Sequence, residues 1–295
     1  MTKRIIAGAL VLIAAFAYFR PLSIYTAARE AYLLGVSADH AYTRVGPHRI
    51  HYYVLGEGPP VVLVHGVATR AADALPIFTS LAKHHRVYAL DLLGYGDSDK
   101  PTNAEYSVAT QSEIVRGFMD AMHLRDADVI GVSMGGWIAL KFAADHPERV
   151  RRLVLVSSAG LEFPTILTER SFSSETIQEL RANFKLQSER AGKMPDFILR
   201  DFLRRGKNNG WVNRRMMQSM LTRRDLLDHR LQRVRMPVLL VWGTADRIVP
   251  FFVAGKMQRE MPQAQLVTLP GCSHLAIIEC RGEALPAIER FLARR

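Results

Sequence analysis

The stretch "VIGVSMGGWIAL", Val129 to Leu140, decides how the rest of the chain is read. An apolar run of strand character stops at one serine set among glycines, then resumes as an apolar helix. A plain turn would explain the break. So would a sharp strand-to-helix elbow that pushes the hydroxyl of Ser133 out of the sheet. In the second case Gly131 and Gly135 keep a Cβ away from the neighbouring strand and helix, and Gly136 lets the helix pack closely. A hydroxyl there also stands at a helix N-terminus, where N–H groups receive negative charge.

Strand and helix signals alternate outward from this point. "RIHYYVL" (Arg49 to Leu55) reads as a strand, the continuous apolar run Val61–Val64 reads as a strand covered on both faces, and Arg86–Leu90, Ala127–Val132 and Arg152–Val156 read as the strands that follow it. Helical spacing separates them over 74–83, 107–122 and 134–144. The alternation stops at Gly160. Between Phe163 and Leu231 only helical patches occur (Ile177/Leu180/Phe184, Phe197/Ile198/Phe202 and Met216/Met217/Met220/Leu221), and strands return at Val238–Trp242 and Ala264–Leu269. The pattern predicts a parallel α/β sheet with a helical layer inserted into it, too long for a connection and placed to roof a site at the strand ends.

Three further stretches fall at strand ends. "VHGV" (Val64 to Val67) lets the backbone turn over the site at Gly66. There the N–H of Val67, with that of Met134, would face a developing oxyanion. His65 reads as a structural neighbour. "WGTADRIVP" carries Asp246, placed to orient a histidine or, more blandly, to cap the next helix. "GCSH" carries His274 directly after the last strand. Ser133, Asp246 and His274 follow the chain order of a nucleophile, acid and base on such a sheet.

Together "LVHG", "DLLGYGDSDKP", "GVSMGG", "WGTADRIVP" and "GCSH" resemble the α/β-hydrolase fold family from about Arg49 to Arg294. The resemblance implies a mostly parallel eight-stranded sheet and a helical cap inserted after the sixth strand. It also implies a triad of Ser133, Asp246 and His274 with an oxyanion hole at Val67 and Met134. Asp91, Asp97 and Asp99 match a loop that is structural in the family. The serine speaks against haloalkane dehalogenases and epoxide hydrolases, which carry an aspartate there. The look is nearest to serine esterases and monoacylglycerol lipases with an N-terminal anchor, so cleavage of small or lipid-like carboxylic esters through an acyl-enzyme is expected. The alternative is a carbon–carbon bond hydrolase acting on a vinylogous diketone acid, which an arginine facing the site would favour. No cofactor or metal is expected.

Ends and charge complete the expectations. After Lys3 and Arg4, fifteen residues (Ile5 to Phe19) carry no charge, short of the about 20 that a spanning helix needs. Residues 1–22 thus read as a signal anchor that places the hydrolase domain on the outer, periplasmic or extracellular side. A cleaved signal peptide, leaving a secreted or periplasmic protein, and a helix packed on the domain are the other readings. Residues 23–48 would connect this segment to a core of 49–160 and 237–295, with the cap at 161–236. Of the net charge of +11, most lies in the cap, interspersed with acids and apolar positions. No nucleic-acid-binding signature accompanies it, and a membrane surface is the expected partner unless the face is merely solvated. Cys272 and Cys280 fit no zinc spacing and read as free thiols, with a local bridge as the alternative.

Overall fold

The computed structural model describes residues 15–16, 18–206 and 210–294. Eight strands among them form one sheet in the order β1-β2-β4-β3-β5-β6-β7-β8. They are β1 (Asp39–Val45), β2 (His48–Leu55), β3 (Pro60–Val64), β4 (Arg86–Leu90), β5 (Ala127–Val132), β6 (Val150–Val156), β7 (Val238–Gly243) and β8 (Ala264–Leu269). The pairs β1/β2 and β2/β4 are antiparallel, and every pair from β4 to β8 is parallel. The expected mostly parallel eight-stranded sheet, with its helical insertion after the sixth strand, is the fold observed.

Strand periodicity explains why the central runs are apolar throughout. Val62 and Val64 of β3, Leu153 and Leu155 of β6, and Leu240 and Trp242 of β7 pack into one core layer. Their neighbours Val61, Leu63, Val154, Val156, Leu239 and Val241 face the other. Each fully buried aliphatic side chain removed from water contributes about 2 kcal/mol, so a polar residue on either face of these strands would be costly. Between β3 and β5 the chain order reverses, and there the carboxyl ends of neighbouring strands open a crevice.

Residues 39–45, read from sequence as connection, form β1 instead. A two-residue turn at Gly46 and Pro47 pairs Val45 with His48, and Gly46 takes a left-handed φ of +56°. The insertion between β6 and β7 carries helices Ile177–Gln187, Glu189–Gly192, Asp196–Gly206 and Gly210–Leu221. Phe184 and Phe202 pack edge to face within it, at 5.2 Å between ring centres.

The N-terminal expectation is corrected. Residues 1–14 and 17, on which the signal segment mostly falls, lie outside the described residues. Among the described residues no helix is long and apolar enough to cross a membrane. The described helix Pro21–Gly35 shows why it is no span: it carries Arg29 and Glu30 and packs on the protein. Arg29 is buried and pairs with Asp73 at 2.5 Å, Leu33 is fully buried, and the N–H of Leu22 donates to Asp201 of the cap at 2.9 Å. The anchored, outward-facing placement and the membrane partner are therefore withdrawn. The cap's basic residues, which suggested a lipid-facing surface, are largely tied up locally. Arg181 pairs with Asp196, Arg204 with Asp201, Arg214 with Glu175 and Arg224 with Glu105.

Cys272 and Cys280 differ from the free-thiol expectation: they are joined as a disulfide, with Cα atoms 6.4 Å apart.

Candidate active site

Ser133 follows β5 with φ +56° and ψ −116°, a backbone region costly for any side chain, and the helix Met134–Asp145 starts at the next residue. Its N–H donates to Val156 O at 2.9 Å, which ties the bend to β6. The surrounding glycines make the bend possible. A Cβ on Gly131 would stand 2.6 Å from Gly136 Cα, and one on Gly135 would stand 2.5 Å from His65 O and closer still to Val64 O. A Cβ on Gly136 would meet Ser158 at 2.6 Å. Because the strain at Ser133 serves only to present the hydroxyl, Ser133→Gly should raise stability by about 1 kcal/mol while abolishing serine-directed labelling. Chemical denaturation beside phosphonate labelling checks this, and a stability below that of the native protein contradicts it.

The bend aims Ser133 Oγ at His274, whose Nε2 lies 2.9 Å away. On the other side of the ring, Nδ1 lies 2.8 Å from Asp246 Oδ2 and 3.0 Å from Oδ1. Asp246 is nearly inaccessible, and Oδ1 also accepts the N–H groups of Ile248 and Val249, each at 2.9 Å. Three residues from the ends of β5, β7 and β8 thus form one chain of hydrogen bonds. The carboxylate holds a proton on Nδ1 and leaves Nε2 to accept from the hydroxyl.

Val67 and Met134 border the same space as Ser133. Met134 opens its helix, so its N–H has no intrahelical acceptor. The N–H of Val67 finds no acceptor among the described residues. Its direction is set by His65. The N–H of Leu92 donates to His65 Nε2 at 3.1 Å, so the ring proton sits on Nδ1 and is donated to Gly66 O at 2.8 Å. Thr69 donates to the same oxygen at 2.8 Å. In a planar trans peptide, pinning the Gly66 carbonyl points the Val67 N–H the opposite way. Burial pushes His65 below its ordinary value, outweighing the nearby Asp91, which keeps the ring neutral in this role.

Asp91 stands apart from Ser133's chain of bonds. It accepts from Ala71 N–H at 2.7 Å and Asp97 N–H at 3.0 Å, and faces His51 Nδ1 at 2.9 Å. Burial raises its carboxyl, but His51 and these N–H groups hold it below the ordinary carboxylate value.

Above Ser133 lies a cavity of about 670 Å³, part of it open to solvent. Trp137 and Ile248 from the core and Phe163, Phe172, Met217 and Met220 from the insertion give it an apolar wall. Arg223 also lines it, paired at 2.5 Å with Glu162, another lining residue. Arg223 was not singled out from the sequence, where Glu162 stood only as a fallback for the acid.

The family model described as "alpha/beta hydrolase fold" matches residues 59–215, more than half of the chain. The chain belongs to the α/β-hydrolase fold family. A second model, described as "TAP-like protein", matches residues 212–294 of this chain. Among its relatives, a 2-hydroxymuconate semialdehyde hydrolase of Pseudomonas putida is 30% identical, with 83% of this chain and 91% of that protein covered. A 2-hydroxy-6-oxo-2,4-heptadienoate hydrolase of a P. putida strain is 28% identical over 81% of this chain and 91% of that protein. A crystal structure described as a membrane phospholipase A superposes with a TM-score of 0.84 at 27% identity, covering 98% of both chains. The expectation of a carboxylesterase or monoacylglycerol lipase is overturned by the curated relatives named for 2-hydroxymuconate semialdehyde and for hydroxy-oxo-dienoates. The physical reason is that a serine elbow with a histidine and an acid serves either bond; the elbow motif carries no information about the leaving group.

Proposed function

We propose that this protein hydrolyses a carbon–carbon bond in a vinylogous diketone acid, with Ser133 as nucleophile, His274 as base and acid, and Asp246 fixing the imidazole. The observation that carries the reading is the placing of Arg223 in the wall of a largely apolar cavity above Ser133, where a dienoate carboxylate would take over the guanidinium from its partner Glu162. The relatives named for such acids, matched over most of both chains, support it.

The chemistry requires a carbon leaving group, which is tolerable only when its electron pair is delocalised. Ketonisation of the dienol places the scissile bond beside a ketone and vinylogous to a second carbonyl. His274 takes the Ser133 proton as Oγ attacks the ketone carbon, and the N–H groups of Val67 and Met134 receive the oxyanion. Collapse breaks the carbon–carbon bond, its electrons pass into the conjugated dienolate, and the proton taken up by His274 passes to the dienolate oxygen, giving the hydroxydienoic acid. Water, deprotonated by His274, then releases the acid from Ser133. The sum is substrate plus water giving a dienoic acid and a carboxylic acid.

The test follows the loss of dienolate absorbance with a hydroxy-oxo-dienoic acid, beside p-nitrophenyl esters and a monoacylglycerol. Turnover of the acid is expected to exceed that of any ester by about 100-fold in kcat/KM; esters outpacing it would overturn the reading. Arg223→Met should raise KM for the acid about thirtyfold with kcat little changed, the signature of a lost charge-assisted contact made equally in ground and transition states. An unchanged KM means the carboxylate binds elsewhere.

A further inference from the structure

Ser188, in the insertion, has a polar contact that the reaction leaves unexplained. It precedes the four-residue helix Glu189–Gly192, accepts the N–H of Ala191 at 3.2 Å, and is almost fully buried. Its own proton goes to Glu279 Oε1, across to the core. The other carboxylate oxygen, Oε2, accepts both the N–H of Ser273 at 2.9 Å and its hydroxyl at 2.6 Å. Ser273 is the residue before His274. Glu279 therefore receives three donors from two segments, one beside the imidazole and one in the cap.

Two independent features point the same way. The cap residue next to Ser188, Glu189, pairs at 2.7 Å with Arg247, which follows Asp246. One cap turn thus touches both the loop bearing the acid and the loop bearing the base. The disulfide between Cys272 and Cys280 closes the histidine loop, and Ser273 and Glu279 lie just inside the ring it makes. Burial draws the Glu279 carboxyl up, but the hydrogen bonds from Ser188 and Ser273 and the charge of Arg190 outweigh it and leave it below the ordinary value. An exposed ion pair alone would contribute little. A carboxylate fixed by three donors inside a closed loop restricts the loop itself.

We propose that Glu279 is a positioning residue, fastening the loop that carries His274 to the cap through Ser273 on one side and Ser188 on the other. The imidazole then holds its alignment with Ser133 only while that cap turn is seated. The inference rests on the reading of Ser133 and His274 as nucleophile and base, but not on the identity of the substrate.

The decisive measurement is the second-order rate at which a fluorophosphonate labels Ser133 in the full chain, because it reports serine–imidazole alignment whatever the natural substrate is. Glu279→Ala should slow labelling about tenfold, with kcat falling by the same factor and KM unchanged. Ser188→Ala, which removes only the cap end, should slow it about threefold, and the double variant should be no slower than Glu279→Ala. Glu279→Gln, whose amide oxygen still accepts from Ser273, should recover part of the rate. Labelling at the wild-type rate in folded Glu279→Ala overturns the proposal, as do losses that simply multiply in the double variant. If Glu279→Ala does not fold, Ser188→Ala decides: slowed labelling supports the coupling, and normal labelling refutes it. A wild type that is labelled yet leaves the dienoic acid intact overturns the proposed substrate alone, and the labelling comparison still decides the role of Glu279. A wild type that resists the phosphonate overturns both.

Discussion

Asp246→Asn is expected to lower kcat by about 10⁴-fold while leaving the fold intact. The geometry says why an almost isosteric change should be so damaging. Oδ1 of Asp246 accepts two backbone N–H groups, from Ile248 and Val249, and lies 3.0 Å from His274 Nδ1, whereas Oδ2, at 2.8 Å, has the imidazole as its sole partner among the described residues. An asparagine must put its oxygen where the two N–H groups are, since an amide NH₂ there would oppose two donors. Its NH₂ then faces His274 Nδ1 and donates to it. The ring proton is forced onto Nε2, which points at Ser133 and now offers a hydrogen where it should accept one. The nucleophile loses its base without moving. A circular dichroism melt close to that of the native protein, beside turnover of the dienoic acid and fluorophosphonate labelling, checks this. Turnover within tenfold of that of the native protein would mean that the carboxylate does not set the tautomer.

Much of this arrangement was legible because backbone demands and chemistry coincide at the same residues. The elbow had to be glycine-flanked, and parallel strands buried on both faces had to read as unbroken apolar runs, so the central strands announced themselves. Strand β1 did not. It lies at the sheet edge with most of its side chains at least partly in water, and its sequence "DHAYTRV" carries no apolar run. The available signal was the glycine-led two-residue turn at Gly46. The disulfide stood only as the alternative for another reason: it depends on the short helix Ala276–Glu279 turning the chain back on itself, which the spacing of two cysteines permits but does not require. Glu279 was equally silent, since its partners lie in segments whose proximity only the fold creates.

Ester and carbon–carbon substrates were not separable in the sequence, for a chemical reason. Attack by an activated serine and capture of the oxyanion are common to ester and carbon–carbon cleavage. What separates them is how the leaving group's electrons are held, and that is decided by the cavity wall. In this chain the wall comes largely from the insertion, where helical spacing reports which residues are apolar but not which turn inward. Phe184 and Phe202 pack on each other, whereas Phe163 and Phe172 line the cavity. Arg223 was one basic residue among many in the cap until the fold placed it in the wall.

Gly135→Ala offers the sharpest conflict between local preference and tertiary fit. In a helix interior alanine is favoured over glycine by about 1 kcal/mol, and Gly135 is the second residue of the helix Met134–Asp145. By that criterion the substitution stabilises. Against it stand two backbone oxygens: a Cβ at this position would lie 2.5 Å from the carbonyl oxygen of His65 and closer to that of Val64. Neither is the end of a flexible side chain, so the helix start and the end of β3 must separate. The cost of such overpacking is about 3 kcal/mol and exceeds the gain in propensity. The same separation would widen the gap between the N–H groups of Val67 and Met134, so labelling of Ser133 should fall about 100-fold even in the molecules that remain folded. Gly255→Ala provides the comparison, because in the helix Phe252–Glu260 a Cβ meets nothing nearer than Arg259 Nη1 at 3.7 Å. There propensity acts unopposed, and stability should rise by about 0.5–1 kcal/mol with labelling unchanged. Denaturant midpoints and labelling rates of the two variants decide the matter. A Gly135→Ala protein as stable as Gly255→Ala would mean that the helix start is not pressed against β3, and the account of how Ser133 is presented would fall with it.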